Sequence, residues 1–249
     1  ALNNPDGMYR ARFSGRTGAA LDPCAVIQVV FDLEEGQEKE IVFRLGAAEN
    51  IQDALVLIKK LEGKETALEA LNKVEQFWHQ TLSAVQVETP DASVNMLMNG
   101  WLNYQTIASR IWGRSGFYQS GGAFGFRDQL QDVLSLIHTK PAMVREQILL
   151  CASRQFKEGD VQHWWHPPTG RGVRTTCSDD LLWLPYVMMS YLKETGHWSL
   201  LSETAPFAPK PGTSRKESGT LHDHAVRAIE KALSRLSKRG LPLMGEADW

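Results

Sequence analysis

The spacing of the apolar residues changes once along the chain, and this change limits the folds that it can adopt. In residues 25–45 they form short alternating runs around a charged turn at 34–37, which is typical of a β-hairpin or the last part of a sheet. After Gly46 they recur at helical spacing, and Asn50 is a predicted N-cap. Because two strands alone are marginally stable, the sequence predicts that more sheet precedes this segment.

The second half of the chain has the pattern of an all-α region. Pro90 and Asp91 open a strong amphipathic helix. Further helices are predicted near residues 129–138, 141–155, 179–195 and 222–236, with no clear strand between them. We place helix starts and stops at five residues: Thr139, Ser178, Thr220, Gly196 and Gly240. Pro185 should kink its helix or shift the start of that helix.

Composition and cysteine spacing exclude several classes of protein. A formal net charge of −2, with scattered Lys and Arg, provides no basic face for nucleic acid. Cys24, Cys151 and Cys177 are far apart, which excludes a disulfide framework or zinc knuckle and favours the cytoplasm. No apolar run reaches the length of a bilayer span, and no export signal is recognisable. A preceding part of the polypeptide could still carry either.

Two long loops contain the residue types that bind ligands. In residues 114–128, glycines precede a helix start, which suits either an anion or a structural turn ending in Arg127 and Asp128. The second loop contains His163 and His166, but we expect no third metal ligand nearby, so we predict no metal site. A loop that lines a sugar site fits its Trp, His and Arg content better, and Asp179 and Asp180 are interpreted as ordinary first-turn carboxylates.

Four segments together resemble one enzyme family, the inverting glycoside phosphorylases that include cellobiose, cellodextrin and chitobiose phosphorylases. The segments are residues 117–120, 125–132, 179–183 and 240–249. The resemblance covers essentially the whole chain, which corresponds to less than half of such an enzyme. It implies a mainly α fold: the end of an N-terminal β-sandwich at 1–47, a helical linker at 48–90, and the first part of an (α/α)6 barrel at 91–249.

The resemblance also implies a reaction. Phosphate cleaves a β-glucosidic bond of a gluco-oligosaccharide with inversion, giving α-glucose 1-phosphate. Phosphate is already an anionic nucleophile, so the enzyme needs a catalytic acid but no base to activate water. Inorganic phosphate is then a co-substrate, no cofactor is required, and the resemblance allows for a homodimer of the full-length protein.

The family pattern assigns roles to individual positions. Asp128 matches an aspartate that binds the transferred glucosyl unit, with Arg127 beside it, and Arg114 matches a phosphate-binding arginine. Asp248 and Trp249 belong to the sugar site. This sequence has Gly122 where cellobiose phosphorylase has another sugar-binding arginine.

The general acid is expected two positions after Trp249. The chain would therefore contain no catalytic residue, and we expect it to be inactive alone. Residues 118–124 look closer to enzymes that act on β-1,2-glucans, including the phosphorylase-like domain of cyclic β-1,2-glucan synthases. A non-catalytic sugar-binding remnant is the alternative from another class.

Overall fold

The computed structural model describes residues 6–20, 24–113, 122–167, 169–209 and 217–246. The chain divides into two compact units, Ala1–Ala67 and Leu68–Trp249. Over the described ranges, no helix combines the length and the apolar character needed to cross a membrane.

Among its described residues, the first unit contains one complete α-helix. A 3-10 turn, Asp6–Tyr9, and an extended segment precede helix α1 (Ile51–Lys60). The Asn50 side chain accepts a hydrogen bond from the backbone N–H of Asp53 at 3.0 Å, so the predicted N-cap is confirmed. Arg44 donates to the carbonyl oxygens of Ile58 and Leu61 at 2.5 and 3.2 Å, which connects the extended segment to the end of the helix.

The hairpin predicted within residues 25–45 does not form. The turn is present, since the N–H of Gln37 donates to the carbonyl of Glu34 at 3.0 Å. No strand is assigned among the described residues of this unit, and Ile27 and Val30 are 71% and 82% exposed. Strand pairing needs both ladder bonds and a covered face, and these residues have neither.

The second unit is mostly helical. Most of helix α2 (Lys64–Leu82) belongs to it, from Leu68 onward. Helix α3 (Ala92–Met96) continues without a break through π-helical Leu97–Trp101, α4 (Leu102–Gln105) and π-helical Thr106–Trp112. Its predicted start is confirmed, because the Asp91 carboxylate accepts from the backbone N–H of Ser93 at 2.8 Å.

Four further helices form the main core, and each packs against its neighbours: α5 (Phe126–Leu134), α6 (Pro141–Ala152), α7 (Trp183–Thr195) and α8 (Leu221–Leu233). Buried apolar side chains from all four fill it, among them Phe126, Leu130, Val144, Ile148, Leu184, Val187, Leu221 and Ala228. This burial supplies the main stabilisation of the unit.

The ends of these helices test the predicted caps. Thr220 forms a capping box with Asp223, and Gly196 adopts φ 68° after α7, so both predictions are confirmed. Helix α7 starts at Trp183, so Pro185 lies in its first turn and shifts the start as predicted.

Three cap predictions are wrong. Lys140 rather than Thr139 precedes α6, where Pro141 fixes the first turn. Asp179 rather than Ser178 precedes the 3-10 helix Asp180–Leu182. Gly240 lies in a turn beyond the end of α8 at Leu233. Neither Lys140 nor Asp179 makes a side-chain capping hydrogen bond, so these two helix starts carry no capping signal that the sequence could show.

The prediction of a region without strands is also wrong, because the loops between the helices form short antiparallel sheets. One sheet has the order β1 (Phe124–Gly125), β2 (Gln162–His166), β3 (Arg171–Arg174). The other pairs β4 (Thr204–Pro206) with β5 (Ser218–Thr220). Strands this short leave too little alternation in the sequence to be recognised.

Candidate functional site

The three-stranded sheet brings two of the predicted ligand-binding loops together. Phe124 lies opposite Trp165 and Gly125 opposite Trp164 in the β1–β2 register. Trp165 is only 1% exposed and meets the ring of Phe124 edge-on at 6.1 Å, and the guanidinium carbon of Arg154 lies 5.2 Å from the centre of the Trp165 ring. Trp165 is therefore a core residue that fixes the second loop against the first, not a sugar platform.

Asp128 lies in the first turn of α5, where the helix dipole stabilises a carboxylate. Its side chain folds back over the strand that precedes the helix. A Cβ atom placed on Gly125 would lie 2.6 Å from Asp128 Oδ2. Position 125 must therefore be glycine for this carboxylate to keep its place, which gives a physical reason for the Gly-Phe-Arg-Asp order.

Arg127 and Asp179 join the start of α5 to the start of α7. Arg127 Nη1 donates to Asp179 Oδ2 at 2.8 Å. The indole N–H of Trp183 donates to the same oxygen at 3.3 Å, and the guanidinium of Arg127 lies 5.6 Å from the Trp183 ring centre. Asp179 is thus a partner of Arg127 rather than only a helix-end charge.

Asp180 and His163 form a second, more buried pair beside the first. His163 Nδ1 donates to Asp180 Oδ2 at 2.6 Å, and Asp180 is only 2% exposed. Burial raises the pKa of Asp180 above its ordinary value, and the hydrogen bond from His163 opposes that shift. The interpretation of Asp180 as an ordinary first-turn carboxylate is therefore wrong, because a non-local partner and burial decide its environment.

Cys177 completes a cluster of three potential metal ligands. One ligand atom each from His163, Cys177 and Asp180 lies within 4.8 Å of the others, so the expectation that His163 has no further ligand nearby is wrong. His166 is not in this group. The short Nδ1–Oδ2 contact is already a hydrogen bond, and burial raises the pKa of the Cys177 thiol, which disfavours the thiolate that a metal needs. The geometry favours a hydrogen-bonded cluster, and the absence of a metal stays a prediction.

The C-terminal loop docks on the same cluster. Glu246 Oε2 accepts from the backbone N–H of Thr176 at 2.8 Å, and the Glu246 N–H donates to Thr176 Oγ1 at 3.2 Å. These hydrogen bonds lower the pKa of the Glu246 carboxyl. A Cβ atom on Gly245, which has φ 68°, would overlap the carbonyl oxygen of Thr176. The chain just before Asp248 is thus held next to Cys177.

The predicted site residues divide into those that the structure places and those outside its described part. Arg127 and Asp128 lie at the start of α5, within the group of loops just described. Arg114, Asp248 and Trp249 lie outside the described residues, so their roles stay predictions. His163, Asp180 and Glu246 were not predicted as site residues. Two signals pointed toward them: the Trp, His and Arg content of the loop that contains His163, and the Asp179-Asp180 doublet, because two adjacent carboxylates exceed what a helix start requires.

Comparison with known proteins identifies the family. Residues 77–249 match the family described as "Glycosyl hydrolase 94 superfamily, catalytic domain", and residues 1–64 match "Glycosyl hydrolase 94, supersandwich domain". The chain belongs to the glycosyl hydrolase 94 family, which confirms the resemblance found in its sequence. The supersandwich match confirms the β-domain at the start at the level of family, whereas the borders at 47 and 90 stay predictions.

Curated relatives of known activity fall in two groups. The chain is 40% identical to the cyclic beta-(1,2)-glucan synthase NdvB of Rhizobium meliloti (strain 1021), over 96% of the chain and 9% of that protein. It is 28% identical to the 3-O-beta-D-glucopyranosyl-beta-D-glucuronide phosphorylase of Paenibacillus borealis, over 98% and 31%. It is 26% identical to the N,N'-diacetylchitobiose phosphorylase of Vibrio furnissii, over 99% and 33%. The chain thus spans a third or less of the length of these relatives.

Proposed function

We propose that the polypeptide containing this chain is an inverting glycoside phosphorylase. It cleaves β-glucosidic bonds of gluco-oligosaccharides with inorganic phosphate and releases α-glucose 1-phosphate. The match of residues 77–249 to the family's catalytic domain carries this proposal. The phosphorylases among the relatives support the reaction type, and the convergence of three loops on one cluster supports a shared site.

The chemistry divides the work between this chain and the residues expected after it. Asp128 binds hydroxyl groups of the transferred glucosyl unit, and Arg127 lies beside it. Arg114 binds phosphate, and Asp248 and Trp249 lead to the general acid two positions later. That acid protonates the leaving oxygen, while phosphate attacks the anomeric carbon without a general base. Phosphate acts as co-substrate, and no cofactor is involved.

The proposed architecture is an (α/α)6 barrel at residues 91–249, following a sandwich segment at 1–47 and a linker at 48–90. The course of α5 and α7 supports it. Arg127 and Asp179 join the starts of these two helices, and His138 and Glu194 join their ends. The two helices therefore run in the same direction, as alternate helices of such a barrel do. A cytoplasmic location and a homodimer belong to the same proposal.

A cyclic β-1,2-glucan synthase is the second candidate, favoured by the 40% identity to NdvB. The chain would then belong to a phosphorylase-like domain of a much longer protein. This candidate and the first agree on the β-1,2 linkage that residues 118–124 suggest. They differ in the length of the polypeptide that carries the chain.

Incubation of the full gene product with phosphate and a panel of β-glucobioses tests the proposal. We expect glucose 1-phosphate, with the β-1,2-linked disaccharide sophorose as the best substrate. If none of the disaccharides gave a sugar phosphate, the proposal of a phosphorylase would be rejected. An asparagine in place of the expected acid after Trp249 would point to a non-catalytic, sugar-binding protein.

A further inference from the structure

One short stretch of the chain occurs twice in the second unit. Residues 148–161 contain the end of α6 and the turn after it, and we name them the first repeat. Residues 229–242 contain the end of α8 and its turn, 81 positions later, and form the second repeat. Five pairs of equivalent positions are identical: Ile148 and Ile229, Ser153 and Ser234, Arg154 and Arg235, Lys157 and Lys238, Gly159 and Gly240.

The two repeats also share their backbone geometry. Each contains one isolated antiparallel bridge: Gln155 with Val161, and Leu236 with Pro242. In each turn a glycine with positive φ donates its N–H to the carbonyl oxygen three residues earlier, at 2.8 Å from Gly159 and 2.9 Å from Gly240. Because the sequence pattern and the hydrogen bonds agree, the surroundings of equivalent residues can be compared directly.

The first repeat is covered by the two α-helices that follow it in the chain. A Cβ atom on Gly159 would lie 2.3 Å from the carbonyl oxygen of Arg227, so α8 lies directly on this turn. Gln155 Nε2 donates to the carbonyl oxygen of His224, also on α8, at 3.0 Å. Helix α6 packs against α7, and Ile148 is completely buried.

The equivalent surface of the second repeat is open among the described residues. A Cβ atom on Gly240 would meet no other atom within 4 Å. Ile229 and Leu233 are 43% and 60% exposed, whereas their equivalents Ile148 and Ala152 are 0% exposed. A groove of about 180 Å³ runs along this surface, and its lining is mainly aliphatic: Leu181, Leu182, Ile229, Leu233, Leu236 and Leu243.

We propose that this groove binds the next pair of helices of the same polypeptide, which follows Trp249 and covers the second repeat as α7 and α8 cover the first. The inference rests on the proposed function, in which the polypeptide continues beyond Trp249 to the general acid. The chain spans a third or less of its curated relatives, so proteins of their length have room for such a pair.

The chemistry of the groove favours a helical occupant over a ligand. Exposed aliphatic side chains along one side of a helix suit the apolar face of another helix. A sugar would need polar partners and flat aromatic faces instead. A second copy of the chain could also present apolar groups, but the first repeat shows that helices of the same polypeptide occupy the equivalent place.

The occupant also contacts the loop that leads to the proposed acid. Leu243 lines the groove, and Glu246, three positions later, accepts from the backbone N–H of Thr176 at 2.8 Å. A helix pair in the groove packs on Leu243 and so restrains this loop. The second repeat therefore connects the completion of the helical region with the placement of the acid.

Thiol labelling of the full gene product tests the proposal. Leu233→Cys places a thiol in the groove, and Lys238→Cys is the matched control, because its equivalent Lys157 is exposed in the covered first repeat. In the full gene product, position 233 should react at least about tenfold more slowly than position 238, since a covered thiol reacts only when the structure opens locally. In the 249-residue chain the two rates should agree within about threefold. Mass spectrometry of peptides separates these thiols from the exposed Cys24.

Equal rates at positions 233 and 238 of the full gene product would overturn the inference. Protection of position 233 in the 249-residue chain that increases with protein concentration would also overturn it, since it would identify a second copy as the occupant. If a variant does not fold, hydrogen exchange of the unaltered proteins decides. The amides of residues 229–243 should exchange at least about tenfold more slowly in the full gene product than in the chain, and equal rates would contradict the proposal.

Neither measurement depends on turnover, so the two proposals can fail separately. Protection of the groove without formation of glucose 1-phosphate would reject only the phosphorylase. Formation of glucose 1-phosphate with an unprotected groove would reject only the helical occupant.

Discussion

At each of the two ends of the parallel helices α5 and α7, a hydrogen-bonded pair of side chains joins the helices, in different surroundings. At the starts, Arg127 meets Asp179 at 2.8 Å, with side chains 25% and 40% exposed. At the ends, His138 meets Glu194 at the same 2.8 Å, with side chains 62% and 44% exposed. Only the starts add a second carboxylate, Asp180, that is almost completely buried. Distance alone therefore does not distinguish a candidate site from an ordinary surface pair.

The two pairs differ in their exposure to solvent and in the polar groups that surround them. Water screens the pair at the helix ends, where such contacts contribute at most about 1 kcal/mol to stability. At the starts, two adjacent carboxylates each hold a residue from another loop, and Trp183 donates to one of them. The starts thus form a network of polar groups, whereas the contact at the ends joins two more exposed side chains. The variants below are designed to break or sharpen this contrast.

The largest expected effect is a loss of stability when Trp165, which packs near the starts of α5 and α7, is replaced. Trp165→Ala removes a side chain that is 1% exposed, and we expect a loss of about 3–5 kcal/mol in the free energy of unfolding. Trp198, just beyond α7 at the far end and 57% exposed, is the matched control, and its replacement by Ala should cost less than about 0.5 kcal/mol. Urea unfolding of both variants, followed by far-ultraviolet circular dichroism, measures the difference. Equal losses would contradict the contrast between the two ends.

The next effect is on catalysis in the full gene product. Asp128→Asn removes a charged acceptor for the glucosyl unit, and we expect kcat/KM for sophorose to fall about 100-fold. Asp132, on the same helix, pairs with Arg110 at 2.8 Å instead, so Asp132→Asn should change kcat/KM by less than about threefold. Phosphorolysis assays at subsaturating sophorose compare the two. A larger loss in Asp132→Asn would remove Asp128 from the proposed site.

Some local features of this molecule could be predicted from sequence, because they depend on neighbours in the chain. Asn50 and Thr220 were recognised as caps, since each bonds a backbone N–H three residues away. The pairs at the site could not be found in this way. Arg127 and Asp179 are 52 positions apart, and His163 and Asp180 are 17 apart, so only the packing of the helices and the short sheet brings them together.

The predicted hairpin near the N-terminus shows the same limit of prediction from sequence: here a local pattern was recognised, but the structure that it suits does not form. The alternating residues around Val29 and Val42 have the pattern of strands, but both are more than 40% exposed and neither belongs to a strand. A pattern states which residues suit a sheet; it does not supply the partner strand. The Asp179-Asp180 doublet could likewise be recognised in the sequence, whereas its partners Arg127 and His163 could not be assigned from it.

A third prediction concerns the energy of the Arg127–Asp179 pair. Because both side chains are partly exposed, we expect a coupling of about 0.5–1 kcal/mol between Arg127→Gln and Asp179→Asn in a double-mutant cycle. The same cycle on His138 and Glu194 should give less than about 0.3 kcal/mol, since these side chains are more exposed. Raising the salt concentration to 1 M should reduce both couplings. A stronger coupling at the helix ends would reverse the comparison.

The smallest expected effect is a difference in the pH dependence of stability between the unaltered chain and Asp180→Asn. Burial raises the pKa of Asp180 above its ordinary value of 3.8, so the folded state binds this proton more tightly than the unfolded state does. Its contribution to stability is fully present below the unfolded pKa and is lost as the pH rises through the folded pKa. Asp180→Asn, which stays neutral, should therefore be the more stable protein at neutral pH.

The stability advantage of Asp180→Asn should shrink as the pH is lowered toward 3.8, since the native carboxyl then becomes neutral as well. Urea midpoints measured from pH 4 to pH 7 follow this change, and Glu194→Gln provides the matched control at the far end. An advantage that grew on acidification would show that His163 more than compensates the ionised carboxylate. In that case the buried pair would stabilise the fold, and the contrast between a costly site end and an ordinary far end would have to be abandoned.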